Sequence, residues 1–150
     1  MADVRAEVLA GLTAEQKSLS PKYFYDQAGS ELFEAITDLP EYYLTRTELG
    51  IFDAHMAELA QSVVPGSCLV EYGSGSSLKV RRVLEEVEPS AYVPVDISGE
   101  HMEEMARALQ ADFPGLAIYP TCADFTGEFE LPEPVQAMPK VGFFPGSSIG

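Results

Sequence analysis

The stretch Cys68-Leu69-Val70-Glu71-Tyr72-Gly73-Ser74-Gly75-Ser76-Ser77 constrains the fold of this chain more tightly than any other. An apolar run enters a Gly-x-Gly turn and a helical pattern follows. A second apolar run, Ala91-Tyr92-Val93-Pro94-Val95, then closes on Asp96, 21 residues after Gly75. That order is the nucleotide half-site of an open α/β sheet. The glycines let backbone N–H groups come close to a ligand, and the acid can accept from two ribose hydroxyls. One ribose-bearing cofactor is the leading expectation.

The rest of the chain divides around this site. Residues 1–65 read as helical. Val4, Val8 and Leu12 give a short amphipathic helix, and Leu32, Phe33, Ile36 and Leu39 follow Ser30 at helical spacing and stop at Pro40. Thr45-Arg46-Thr47-Glu48 has the form of a capping box, leading into a hydrophobic set of Phe52, Met56, Leu59 and Val63. From 66 to 150, apolar runs at 67–72, 91–96, 116–122 and 141–145 alternate with helical patterns. Val80, Val83, Leu84 and Val87 mark the first of these helices; Met102, Met105 and Leu109 mark the second, with Ser98 as its cap. Such alternation predicts right-handed βαβ units and a parallel sheet. Residues 125–140, rich in Pro and Glu, read as a loop or a poorly formed helix. The predicted architecture is α/β: the first half of a doubly wound, Rossmann-like sheet with a helical N-terminal extension.

Composition narrows the partners. With 24 acidic against 9 basic residues, the net charge of −15 argues against nucleic acid and anionic membranes. No apolar run reaches transmembrane length, and no cationic, hydrophobic leader opens the chain. Cys68 and Cys122 lie in apolar, strand-like runs and are expected to be buried reduced thiols. His55 and His101 form no metal-ligand spacing with them, so no metal site is expected. A cytoplasmic monomer acting on a small molecule is the resulting expectation.

The glycine loop discriminates among cofactors. A dinucleotide site asks for a third glycine so that helix and strand pack closely, and here Leu78 stands in its place. This disfavours a nicotinamide dehydrogenase. No Gly-Lys-Ser/Thr follows the turn, which excludes a P-loop. What remains is acid-x-Gly-x-Gly (Glu71, Gly73, Gly75), the pattern of S-adenosylmethionine-dependent methyltransferases. Asp96, at the carboxyl end of the second strand, is the candidate ribose ligand. Asp124-Phe125, just beyond the third run, can take the amino group and the face of adenine.

The chain resembles the histidine-specific N-alpha-methyltransferases of ergothioneine biosynthesis. The resemblance rests on Pro21-Lys22-Tyr23-Phe24-Tyr25-Asp26 with Gly29-Ser30-Glu31-Leu32-Phe33, and on Leu39-Pro40-Glu41-Tyr42-Tyr43-x-Thr45-Arg46-Thr47-Glu48. It continues through Glu71-x-Gly73-Ser74-Gly75-Ser76-Ser77-x-Lys79, Tyr92-Val93-Pro94-Val95-Asp96, Ala123-Asp124-Phe125-Thr126 and Phe144-Pro145-Gly146-Ser147-Ser148-Ile149-Gly150. Tyr72 and Leu44 depart from the usual pattern, where an aliphatic residue and a proline are commoner.

The resemblance implies S-adenosylmethionine as cofactor and the α-amine of L-histidine as methyl acceptor, with the trimethylated betaine as product. It implies that Gly73 lies against the cofactor's methionine portion and that Lys79 faces its carboxylate. Asp96 would take the ribose, and Asp124 and Phe125 the adenine. Tyr42, Tyr25 and Gly146 would face the substrate, making residues 1–65 a contributor to the substrate pocket. No residue is assigned as a catalytic base. Family members continue past the position of Gly150 with an asparagine that contacts substrate, and a half-sheet ending here would expose a strand edge. The chain is therefore expected to be an N-terminal fragment. The alternatives left standing are a non-catalytic adenosine-ligand-binding module and a methyltransferase of another amino acid.

Overall fold

Two stretches of the chain, Cys68–Tyr72 and Ala91–Asp96, are almost wholly buried and form neighbouring parallel strands, β1 and β2. The fold comes from a computed structural model, which describes residues 4–24, 26–74 and 77–146, the side chains of Ser77, Glu100 and His101 excepted. In β1 successive side chains serve opposite faces. Leu69 joins one core, while Cys68 and Val70 join the other. A strand apolar on both faces must sit inside a sheet, and β1 does so, paired with β2 on one side and with β5 (Lys140–Phe143) on the other. The short strands β3 (Ala117–Ile118) and β4 (Thr121–Cys122) both pair with β2, so the main path runs β3-β2-β1-β5, all pairings parallel.

The expected third strand, 116–122, is thus interrupted. Pro120, which has no N–H to donate to a ladder, falls between its two pieces. Cys122 also departs from expectation: it is exposed, because β4 is a two-residue outer strand, while Cys68 is fully buried.

Helices α4 (Ser77–Val87) and α5 (Gly99–Asp112) connect β1 to β2 and β2 to β3. Both crossovers step the same way across the sheet, so both helices cover one face. Val80, Val83, Leu84, Met102, Met105 and Leu109 fill that core with Leu69 and Tyr92. The connection back to β5 crosses to the opposite side of β1 and covers the other face without an α-helix. A 3-10 turn at Glu133–Val135 buries Val135 completely, with Phe125, Phe129, Leu131 and Met138 packed around it.

The N-terminal segment carries α1 (Val4–Thr13), α2 (Gln27–Thr37) and α3 (Leu44–Gln61). Of these, α3 reaches the core through Met56 and Phe52, the latter ring 5.9 Å from Phe143 of β5. The amphipathic pattern read in α1 and α2 does not translate into burial: Val4, Leu12, Leu32, Ile36 and Leu39 are all exposed, as is Leu59 in α3. Helix α2 also starts earlier than Ser30, because Asp26 is its N-cap and accepts the Gly29 N–H at 2.8 Å. The predicted capping box is absent. Tyr43 occupies the N-cap of α3 without a side-chain bond, Thr45 lies inside the helix, and Glu48 has distant partners instead. None of the helices, among the described residues, is long and apolar enough to cross a membrane.

This difference in burial is measurable. Leu109→Ala removes a fully buried side chain from the core of α5 and is expected to lower stability by about 2–5 kcal/mol. Leu32→Ala, at a 66% exposed position, should stay within about 0.5 kcal/mol of the parent. Denaturant titration of both variants checks the pair; equal losses would contradict the assignment of one to the core and the other to the surface.

Candidate functional site

In an open α/β sheet, ligands bind beyond the carboxyl ends of the strands, where the strand order reverses. Here the reversal lies between β1 and its two neighbours, and Glu71, Gly73, Asp96 and Gly146 lie at or just beyond the ends of those strands. Glu71, the penultimate residue of β1, is 1% exposed. Its carboxyl accepts the Tyr92 hydroxyl, itself fully buried. Burial pushes the Glu71 carboxyl up to about 7, against the opposing pull of the Tyr92 bond and the Lys79 charge.

Gly73 then turns the chain with φ +75°, a conformation that favours glycine, and donates its N–H to the Val95 carbonyl at 2.9 Å. A Cβ at Gly73 would stand 3.8 Å from the Phe125 ring, so the loop and Phe125 lie against each other. Next in the loop, Ser74 is 1% exposed, and its hydroxyl has no hydrogen-bond partner among the described residues. Gly75 and Ser76 lie outside the described residues.

Asp96 ends β2, half-buried, with Oδ1 accepting the Ser98 N–H at 2.9 Å. The Ser98 side chain makes no capping bond, so Asp96 supplies the anchoring at the entrance to α5 that was expected of Ser98. The carboxylate stands at the carboxyl end of β2 and holds the turn into α5. Beyond β4, Asp124 Oδ1 accepts the Thr126 N–H at 3.0 Å and the Thr126 hydroxyl, while Lys22 Nζ donates to Oδ2 at 3.1 Å. These bonds, those from Thr126 foremost, hold the Asp124 carboxyl down at about 2. Phe125 packs edge-on to Phe144 at 5.5 Å and to Tyr72 at 6.0 Å, closing an aromatic wall beside the loop.

Lys79, on the first turns of α4, pairs with Glu48 Oε2 at 2.5 Å. The other oxygen of Glu48 accepts the Gly146 N–H at 2.8 Å, at a turn where Gly146 has φ +90°. Lys79 and Gly146 are thereby brought together by a residue that sequence reasoning had given a local capping role. Tyr42 is half-buried, its ring edge-on to Phe33 of α2 at 6.1 Å. The turn before it is braced by Arg46, which donates to the carbonyls of Leu39 at 3.0 Å and Pro40 at 2.7 Å. Tyr25, the other tyrosine expected near substrate, lies outside the described residues.

Two residues of this site were missed from sequence, Glu48 and Lys22. Lys22 joins Asp124 to Glu7 of α1, which also accepts the Tyr23 hydroxyl at 2.7 Å. Lys22 and Asp124 are 102 positions apart and Glu48 and Gly146 are 98 apart, beyond the reach of any local pattern. Among the described residues no cluster of His, Cys, Asp and Glu could hold a metal ion.

A family model described as histidine-specific, SAM-dependent methyltransferase matches residues 4–150. The chain is 40% identical to a histidine N-alpha-methyltransferase of Mycolicibacterium smegmatis, over 98% of this chain and 46% of that protein. It is 41% identical to a histidine N-alpha-methyltransferase of Mycobacterium tuberculosis, with the same coverage of 98% and 46%. An ergothioneine biosynthesis protein of Neurospora crassa is 36% identical over 58% of this chain and 10% of that protein. The chain thus spans about half the length of the bacterial relatives it matches.

The two perturbed carboxyls have opposite signatures. Glu71 has a raised pKa, so the stabilisation from its protonated form is complete below its ordinary value of 4.5 and fades as pH rises toward about 7. Glu71→Gln should flatten that decline in unfolding midpoint between those two pH values. Asp124 has a lowered pKa, so its contribution is present above 3.8 and is lost as pH falls toward about 2. In Lys22→Met, carboxyl NMR titration should find the Asp124 pKa moved upward; an unchanged value would deny the Lys22 contact.

Proposed function

From the premise that the chain belongs to the family of S-adenosylmethionine-dependent, histidine-specific methyltransferases, we propose that it binds S-adenosylmethionine along the carboxyl edge of its sheet. On this reading it forms the donor side of an enzyme that methylates the α-amine of L-histidine. The observation that carries the reading is the convergence at one strand edge of Gly73, Asp96, Asp124-Phe125 and the buried Ser74 hydroxyl, which has no partner among the described residues. A buried hydroxyl without a partner is costly, and a polar ligand seated on the loop would satisfy it. The residues present therefore fit the cofactor.

When bound, the cofactor would supply an electrophilic methyl group to the unprotonated α-amine of the substrate. The chain's own residues bind and orient. Asp96 accepts from the ribose hydroxyls at the end of β2. Asp124, kept ionised by Thr126 and Lys22, accepts from the adenine amino group, and Phe125 offers the base an apolar face. Lys79 meets the carboxylate of the methionine portion. Tyr42 and the Gly146 turn lie toward the amino acid to be methylated. Holding donor and acceptor in line supplies most of the rate gain, since effective molarities for oriented pairs run on the order of 10⁵–10⁸ M. The relatives named for histidine N-alpha-methylation and for ergothioneine biosynthesis support histidine as substrate.

The test is calorimetric titration with S-adenosylmethionine, followed by histidine. Cofactor binding is expected, and Asp96→Ala should weaken it by about 10- to 100-fold, the equivalent of one or two charge-assisted hydrogen bonds. Unchanged affinity in that variant would remove the ribose assignment. Tight NAD binding with no response to S-adenosylmethionine would replace the whole reading by a dehydrogenase one.

A further inference from the structure

Glu48 links three elements through a single carboxylate. Its Oε2 pairs with Lys79 Nζ of α4 at 2.5 Å, and its Oε1 accepts the Gly146 N–H of the turn after β5 at 2.8 Å. Lys79 Nζ also lies 3.6 Å from the point where a Cβ on Gly146 would stand, so cation, carboxylate and turn form a closed triangle. The two side chains are largely sheltered, with 17% of Lys79 and 25% of Glu48 exposed. Each oxygen of the carboxylate has a different partner, which pins its plane as well as its position.

The surroundings make that pinning consequential. A lysine has a flexible four-carbon stem and three N–H donors, of which Glu48 engages one. The Lys79 charge also acts on the buried Glu71, and Asp96 is close enough to act there too. An ammonium among several acids has competing places to go. Glu48 holds it on the Gly146 side.

We propose that Glu48 is a positioning residue. It sets the Lys79 ammonium against the Gly146 turn, and so aligns the cofactor's carboxylate anchor with the substrate side of the site. The inference rests on the reading that Lys79 faces the carboxylate of S-adenosylmethionine. Glu48 sits only six positions after Tyr42, in the helix whose entry turn Arg46 braces, so the same carboxylate ties the tyrosine's segment to the donor loop.

Two adenosine ligands test this on the full chain: S-adenosylhomocysteine, which has the amino acid portion, and 5′-methylthioadenosine, which lacks it. The isosteric Glu48→Gln variant should weaken S-adenosylhomocysteine by on the order of tenfold and leave methylthioadenosine unchanged. In a Lys79→Met background the Glu48 substitution should have no further effect, because both act on one contact. Glu48→Asp, which keeps the charge on a shorter stem, should fall between parent and Gln. Equal weakening of both ligands would mark a structural role and overturn the proposal, as would additivity with Lys79→Met. Tighter binding of S-adenosylhomocysteine would also overturn it, since Glu48 would then be a competitor for the cation. If Lys79→Met itself leaves the preference for S-adenosylhomocysteine intact, the underlying reading of Lys79 fails, and that outcome is distinct from the others.

Discussion

The register of β1 between β2 and β5 is the constraint on which the rest of the structure depends. Tyr72 pairs with Val95, Glu71 with Phe143, and Asp96 with Cys122 across the next ladder. These pairings bring the chain out of four strands at one level, so Asp96 ends a strand and Gly73, Asp124 and Gly146 follow strand ends on a common edge. A slip of one residue in β1 would exchange the side chains of its two faces. Leu69 would leave the helix-covered core and Glu71 would be moved from its partner Tyr92. The apolar fit of both faces therefore enforces the geometry of the edge.

The N-terminal segment is attached on different terms. Helix α1 buries no residue, α2 buries only Ser30, and α3 contributes Met56. Charged contacts do much of the fastening: Lys22 to Asp124, Glu48 to Lys79, and Arg82 to Asp53. Of these pairs Arg82–Asp53 is exposed, and such pairs contribute about 0–1 kcal/mol, less than a buried leucine. The segment belongs to the less stable part of the structure, while the sheet with α4 and α5 forms its most stable part. Two of those ion pairs end on Asp124 and Lys79, so the weakly held segment and the candidate ligand residues share their contacts.

Buried Glu71 shows how the edge tolerates an acid in its core. The Tyr92 hydroxyl satisfies one oxygen, and the raised pKa lets the carboxyl spend part of its time neutral near pH 7. From sequence this acid, next to last in its strand, reads as part of the acid-x-Gly-x-Gly motif. Only the packing identifies its partner.

Much of the fold was legible because it rests on local signals. Alternating apolar runs and helical spacing located β1, β2, α4 and α5, and a glycine at positive φ marked the loop after β1. The places where reading failed each have a physical reason. Pro120 split a strand through a missing donor, Asp26 capped a helix ahead of its apolar pattern, and Glu48 forsook a local cap for partners across the fold. By itself the sequence determined the parallel α/β architecture, the family, and the identity of the residues at the strand ends, because these follow from periodicity and motif. The tertiary structure alone decided that Lys22 would hold Asp124 and that Glu48 would join Lys79 to Gly146. Those contacts span 102 and 98 positions for Lys22–Asp124 and Glu48–Gly146, and only the closing of the sheet brings such distant groups within hydrogen-bond range.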